Sequence, residues 1–405
     1  MSYSVGQLPY RKGSESLRNA LKMTLCKTGL QISVGEARNL TLFSNSTLVR
    51  HIMWFLHRSL VSSLPGYGEQ HEEHSIWLVK HQDISSDSPI LIYFHGGGYY
   101  MQTIPEQLGV VLSIYKLTSA KVQAKLNILL LDYSLASDGY PVPTQLEQLF
   151  AAYLKLTTLG YTNIGFFGDS AGGHLSITFT QLLYHYYNSI PHPIVELLPP
   201  LQSTTPHIYP KTQILISPWV KMKPNPEDGA TEGNSWHDNE PYDIIQFSNP
   251  FEYHHIVSSA LSMSDIMVSP GNHGYTNTKE WLRVPSFQNG SSLLVIWGED
   301  ESFRDDIIEW CTHALEVPKG TIEPKKNYQY TLENNKQGPD IYLYMEPKGI
   351  HDSLFFLEDS VIGKVKGKKG KQLTYDNLDP SKYFAVVKVA MFLDTVFGEE
   401  GEVEV

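Results

Sequence analysis

Short apolar runs separated by stretches of helical spacing set the rhythm of this chain. The runs are Ile90 to Phe94, Leu126 to Asp132, Asn163 to Phe167, Thr212 to Ile216, Leu293 to Trp297 and Asp340 to Met345. Most are apolar almost throughout instead of alternating, as expected of strands buried on both faces. Between them, segments such as Leu146 to Thr158 repeat apolar residues at helical spacing, and Gly160 marks that segment's end. The pattern predicts a mostly parallel central sheet covered by helices on both faces. No internal repeat and no long linker divides it.

Three stretches break the alternation. Residues 1–68 precede the sheet and read as an N-terminal cap. Within them, Ser46 to Leu64 places Val49, Ile52, Met53, Leu56 and Leu60 on an apolar stripe opposite Arg50, His57 and Arg58. Trp54 and the flanking bases also suit a helix lying on a membrane surface, so peripheral membrane contact through this cap is a second reading. Residues from about 220 to 288, rich in Pro, Asn, Tyr, His and Trp, read as a lid inserted into a domain spanning 69–405. Pro318 to Gly338 and the run Lys364 to Lys371 read as solvated loops.

Composition narrows the function classes. The hydrophobic fraction of 41% suffices for a large core, and the net charge of −12 argues against a nucleic-acid partner. Cys26 and Cys311 are too few for a disulfide framework and lack zinc spacing, so they read as unpaired thiols and no metal is expected. No signal-peptide core and no run of membrane-spanning length is expected. Asn39, Asn45 and Asn289 begin glycosylation triplets that read as chance matches.

The chemistry concentrates in three places. Gly168-Asp169-Ser170-Ala171-Gly172 follows one predicted strand and opens a predicted helix, the context of a serine presented on a tight strand-to-helix turn. His95-Gly96-Gly97-Gly98 follows another strand, where unhindered backbone N–H groups can stabilise an oxyanion. The expected donors are Gly97, Gly98 and Ala171, with Gly96 a further candidate. His351 follows the last predicted strand and is the expected general base for Ser170, because imidazole titrates near neutrality. The third member belongs in the acidic loop Gly298 to Asp305, where Glu299, Asp300, Glu301 and Asp305 all compete on chemistry alone.

Together these motifs resemble the hormone-sensitive-lipase-like branch of the α/β-hydrolases, most of all fungal steryl acetyl hydrolases and related carboxylesterases. The matching text includes Asp132-Tyr133-Ser134-Leu135-Ala136 running into Tyr140-Pro141-Val142-Pro143, then Ser217-Pro218-Trp219, Ser269-Pro270 and Gly349-Ile350-His351-Asp352. It spans roughly residues 85–358. The resemblance implies an α/β-hydrolase fold and hydrolysis of short acyl esters through an acyl-enzyme, with acetylated sterols or other apolar alcohols as substrates and no cofactor. By position it puts the acid on Glu301, three residues before Arg304, with Asp300 as runner-up because many relatives carry aspartate. It leaves Asp132-Tyr133 and Ser217-Pro218-Trp219 as structural. The expected location is cytoplasmic, with endoplasmic-reticulum association as the alternative that the family suggests. A serine peptidase, or a ligand-binding receptor on the same fold, is the competing reading.

Overall fold

The computed structural model describes residues 16–40, 43–247, 252–277, 279–367 and 373–398. Nine strands form one sheet in the order β1-β2-β4-β3-β5-β6-β7-β9-β8. They are β1 (Gln70–Glu72), β2 (Ser75–Val79), β3 (Ile90–Phe94), β4 (Asn127–Leu131), β5 (Ile164–Asp169), β6 (Thr212–Ile216), β7 (Ser292–Gly298), β8 (Gln329–Leu332) and β9 (Asp340–Glu346). The six anticipated strands are β3 to β7 and β9, and neighbours among them pair in parallel.

Both sheet edges depart from expectation. The short strands β1 and β2 extend one edge in antiparallel fashion, and β8 caps the other against β9. β8 lies inside the stretch read as a solvated loop, because its burial alternates between exposed and half-buried and gives no continuous apolar signal. β2 is fully buried, yet it is only five residues long.

The longer helices are α1 (Leu17–Gly29), α2 (Met53–Val61), α3 (Pro105–Leu117), α4 (Thr144–Thr158), α5 (Ala171–Tyr187), α6 (Arg304–Ala314), α7 (Val361–Gly367) and α8 (Phe384–Gly398). Alternate strand residues feed two cores. Ile92, Phe94, Leu129, Val295 and Trp297 pack with Leu149, Phe179 and Trp310 from α4, α5 and α6 on one face. Leu91, Tyr93, Leu130 and Ile296 pack with α2, α3 and α8 on the other. That is why the runs look continuously apolar: period-two alternation disappears when both faces are covered.

Helix α7 occupies the start of the lysine-rich run, whose residues 368–371 lie outside the described ones. The 1–68 segment divides in space. Met23 of α1 joins the core on the α5 side, whereas Val49, Met53 and Leu60 join the opposite one. Leu56, expected on the buried stripe, is exposed. Asn45 is buried and donates 2.8 Å to the Asp132 carboxylate, so its amide is not open to glycosylation. Among its described residues, the 220–288 stretch between β6 and β7 contains short helical turns, among them Ser235–Asp238 and Tyr253–Ile256, and two aromatic anchors, Trp236 and Trp281, are fully buried.

Candidate active site

The carboxyl ends of β5, β7 and β9 carry Ser170, Glu301 and His351 respectively. Such strand ends form the crevice in which α/β sheets bind ligands. Ser170 sits at φ 50°, ψ −112°, between β5 and α5. An L-residue rarely adopts this conformation, and it survives only where the surroundings enforce it. Here they do. A Cβ on Gly172 would lie 2.0 Å from the Phe94 carbonyl oxygen, and one on Gly168 would lie 2.3 Å from that of Gly172. Only hydrogen at these two positions lets α5 start against the neighbouring strand and push Ser170 outward.

The imidazole of His351 joins the other two groups. Its Nε2 lies 2.9 Å from Ser170 Oγ and its Nδ1 lies 2.8 Å from Glu301 Oε1. The second Glu301 oxygen accepts from the Gly298 amide and from Ser217 Oγ, each at 2.8 Å. Asp300, the alternative acid, instead uses its backbone amide to hold Gly349 O at 2.8 Å. Ser217 was read as structural; it grips Glu301 and also accepts the Asp352 amide at 3.1 Å.

The glycine loop faces the same space. Gly97 and Gly98 adopt φ 115° and 60°, in the left-handed region, and both line the cavity beside Ser170. Ala171, the first residue of α5, has an amide with no acceptor inside its own helix. Gly96 differs: its amide donates 2.8 Å to Asp169 Oδ2 and is therefore taken. The same carboxylate accepts from Gln107 Nε2 at 2.9 Å and Tyr93 OH at 2.8 Å, so Asp169 ties the glycine loop to the Ser170 turn. Burial pushes Asp169 up to about 6, against the opposing pull of these three donors.

Two buried histidines brace the loop. His95 stacks on Tyr133, whose hydroxyl donates to the His95 carbonyl at 2.6 Å. His174 receives the Tyr99 hydroxyl on Nδ1 at 2.7 Å and meets the Val268 carbonyl through Nε2 at 2.7 Å, linking loop, α5 and inserted stretch. Burial lowers both rings to about 4, so each is neutral.

Two further carboxylates complete the surroundings of His351. Asp243, from the inserted stretch, accepts the His351 amide at 2.8 Å and the Ser302 amide at 2.7 Å, clamping both loops. Asp352, at φ 53°, holds one oxygen 3.4 Å from His351 Nε2. Nothing in the local sequence pattern marked Asp243, because its partners lie 59 and 108 residues away. Burial opposes charging of His351, but Asp352, Glu301 and Asp243 outweigh it and raise the ring to about 9.

A cavity of about 290 Å³ opens onto Ser170 and His351. Its walls are mainly apolar: Leu25 and Leu30 from the N-terminal segment, Met101 and Ile104 after the glycine loop, and Trp219, Ile244 and Phe303 elsewhere. Among the described residues no group of three or more His, Cys, Asp or Glu could hold a metal ion. Cys26 and Cys311 are free thiols. No helix of the described residues is long and apolar enough to cross a membrane.

A family model described as steryl acetyl hydrolase matches residues 66–346. The Schizosaccharomyces pombe protein mug81, provisionally named a steryl acetyl hydrolase, is 28% identical over 350 residues, 82% of each chain. Steryl acetyl hydrolase 1 of Saccharomyces cerevisiae is 28% identical over 136 residues, 33% of this chain and 27% of its own. A solved esterase of the bacterial hormone-sensitive lipase family superposes with a TM-score of 0.50 at 18% identity, covering 93% of this chain and 98% of its own. At that identity the last likeness speaks to the fold alone, which is that of an α/β-hydrolase.

The crowding at Gly172 generates a test. Gly172→Ala should displace the Ser170 turn, lowering esterase turnover by at least about a hundredfold, in line with what an ångström-scale misplacement costs. A variant with unchanged turnover and melting temperature would show that the turn does not need glycine there.

Proposed function

The chain belongs to the steryl acetyl hydrolase family, and on that premise we propose that it cleaves short acyl esters of apolar alcohols, acetylated sterols among them, through an acyl-enzyme on Ser170. It is a carboxylic ester hydrolase. The observation that carries the mechanism is the chain of contacts Glu301–His351–Ser170, at 2.8 and 2.9 Å, facing an apolar cavity.

In this reading Ser170 Oγ attacks the ester carbonyl while its proton passes to His351 Nε2. Glu301 accepts the Nδ1–H, keeps the ring in the tautomer that leaves Nε2 basic, and stabilises the imidazolium. The amides of Gly97, Gly98 and Ala171 receive the negative carbonyl oxygen of the tetrahedral intermediate, each donor worth about 3 kcal/mol. The Nε2 proton then goes to the leaving alkoxide, and the alcohol departs. Water repeats the sequence on the acyl-enzyme, releasing the acid and restoring Ser170. No metal or cofactor has a role in these steps. The apolar wall favours an acyl ester of an apolar alcohol over a peptide, whose backbone would leave polar groups without partners there.

Incubating the protein with p-nitrophenyl esters from acetyl to palmitoyl, and with a sterol acetate, checks the reaction and the substrate class. Short chains and the sterol acetate should turn over, and Ser170→Ala should abolish both. Turnover of the short esters without the sterol acetate would remove sterols from the proposal, and a Ser170→Ala variant that retains turnover would remove the acyl-enzyme.

Glu301→Gln should lower kcat by roughly 10³ to 10⁴ with the melting temperature retained, whereas Asp300→Asn should change it by less than about tenfold. The reverse pattern would move the acid to Asp300.

The raised imidazole sets the pH dependence. A protonated ring cannot take the serine proton, so kcat/KM must climb as pH rises through the pKa of the free enzyme. With His351 raised to about 9, the acid limb should lie well above the ordinary histidine value of 6.5. A pH–rate profile with its limb at or below 6.5 would contradict this electrostatic picture.

A further inference from the structure

Large apolar side chains on a soluble surface are normally scattered, and singly they call for no explanation. Here eight of the thirteen exposed ones among the described residues lie between Leu17 and Leu56. On α1, Leu17, Leu21 and Leu25 are 54%, 57% and 72% exposed; their spacing of four puts them on one face, opposite the buried Ala20 and Met23. On α2, Trp54, Phe55 and Leu56 are 47%, 82% and 45% exposed.

The two groups flank one spot. Leu25 of α1 shares the cavity wall with Ile104, just before α3, and the His57 ring of α2 lies close beside Gly109 of α3. Ile104, immediately before α3, is itself partly exposed. Leu25 and Ile104 also belong to the wall of the active-site cavity, so the apolar face continues into its mouth.

Charge says what covers this face. The whole chain carries −12, yet residues 16–64 hold Arg18, Lys22, Lys27, Arg38, Arg50 and Arg58 against one acid, Glu36. Asp359 offsets part of this by pairing with Arg18 and Lys22, and Glu106, two residues after Ile104, adds one more acid, leaving the cations in excess. The Arg58 guanidinium stacks 4.7 Å from the Trp54 ring centre. Lys366 of α7 donates to the Leu56 carbonyl at 2.8 Å, which brings that basic helix to the same rim. Apolar side chains ringed by cations, with tryptophan among them, match the boundary between acyl chains and anionic headgroups.

We propose that the face formed by α1, Ile104 and α2 docks on an anionic lipid surface and sets the mouth of the cavity against it. Leu17, Leu21 and Phe55 enter the acyl region while Arg58, Lys364 and Lys366 meet the headgroups. An apolar ester dissolved in the bilayer then reaches Ser170 without crossing water. The docking stands independently of the ester chemistry; only the delivery of substrate rests on the proposed reaction.

Sedimentation of the full chain with phosphatidylcholine vesicles, with and without phosphatidylserine, tests this alongside a Leu17→Ser/Leu21→Ser/Phe55→Ser variant. The protein should co-sediment with the anionic vesicles, release as salt rises, and lose on the order of tenfold or more in partitioning when the three side chains are removed. Hydrolysis of soluble p-nitrophenyl acetate should be unchanged in that variant. If soluble ester hydrolysis fails while vesicle binding holds, the proposed reaction falls and the docking stands. Absence of vesicle binding, or equal binding by the variant, overturns the docking. So does light scattering that finds a dimer dissociated by the same three substitutions, which would assign the face to a second copy of the chain.

Discussion

A single neutral-to-cationic imidazole, His351, has to sit between a hydroxyl on one side and a carboxylate on the other, both within 2.9 Å, in a place almost shut off from water. Burial alone would disfavour its charged form. The protein surrounds it with Glu301, Asp243 and Asp352, so an imidazolium formed there would be stabilised on several sides. Each of those acids must be held in turn, and much of the polar order at the sheet's carboxyl edge serves that need. Ser217 and the Gly298 amide hold Glu301, while the amides of His351 and Ser302 hold Asp243.

The same edge carries a second constraint, the strained turn at Ser170. Asp169 reaches back from that turn to the Gly96 amide, so Ser170 and the glycine loop are fixed relative to each other by a buried carboxylate. The arrangement uses one glycine of the loop as an anchor and leaves its neighbours facing the cavity. A loop with three equivalent donors would lose this direct tie to the Ser170 turn.

Much of this was legible in the sequence. The parallel core strands follow from apolar runs too continuous for a sheet with a wet face, and Gly168, Ser170, Gly172 and His351 stand at the strand ends that such a sheet predicts. The short edge strands β1, β2 and β8 were not legible, because a strand of three to five residues at an edge draws its stability from its neighbour and little from its own pattern. The N-terminal segment illustrates the same limit. Its helical spacing is visible, but the exposed Leu56 and the placement of α1 and α2 on opposite cores depend on what each meets.

What the sequence by itself determined is therefore the set of local and short-range facts: the six parallel core strands, the glycines that a crowded turn demands, the serine and the histidine at strand ends, and the acidic loop. Those are fixed by backbone geometry and by residue type within a few positions. The family resemblance puts the acid on Glu301 by position; the tertiary structure set that carboxylate against Nδ1, and it alone decided that Gly96 is spent on Asp169, that Ser217 grips Glu301, and that Asp243 comes from the stretch between β6 and β7 to clamp the histidine loop. The physical reason is common to all four. A hydrogen bond reads distance and direction in space, and these partners are brought together by strands and insertions up to 108 residues apart, a separation across which no local pattern carries information.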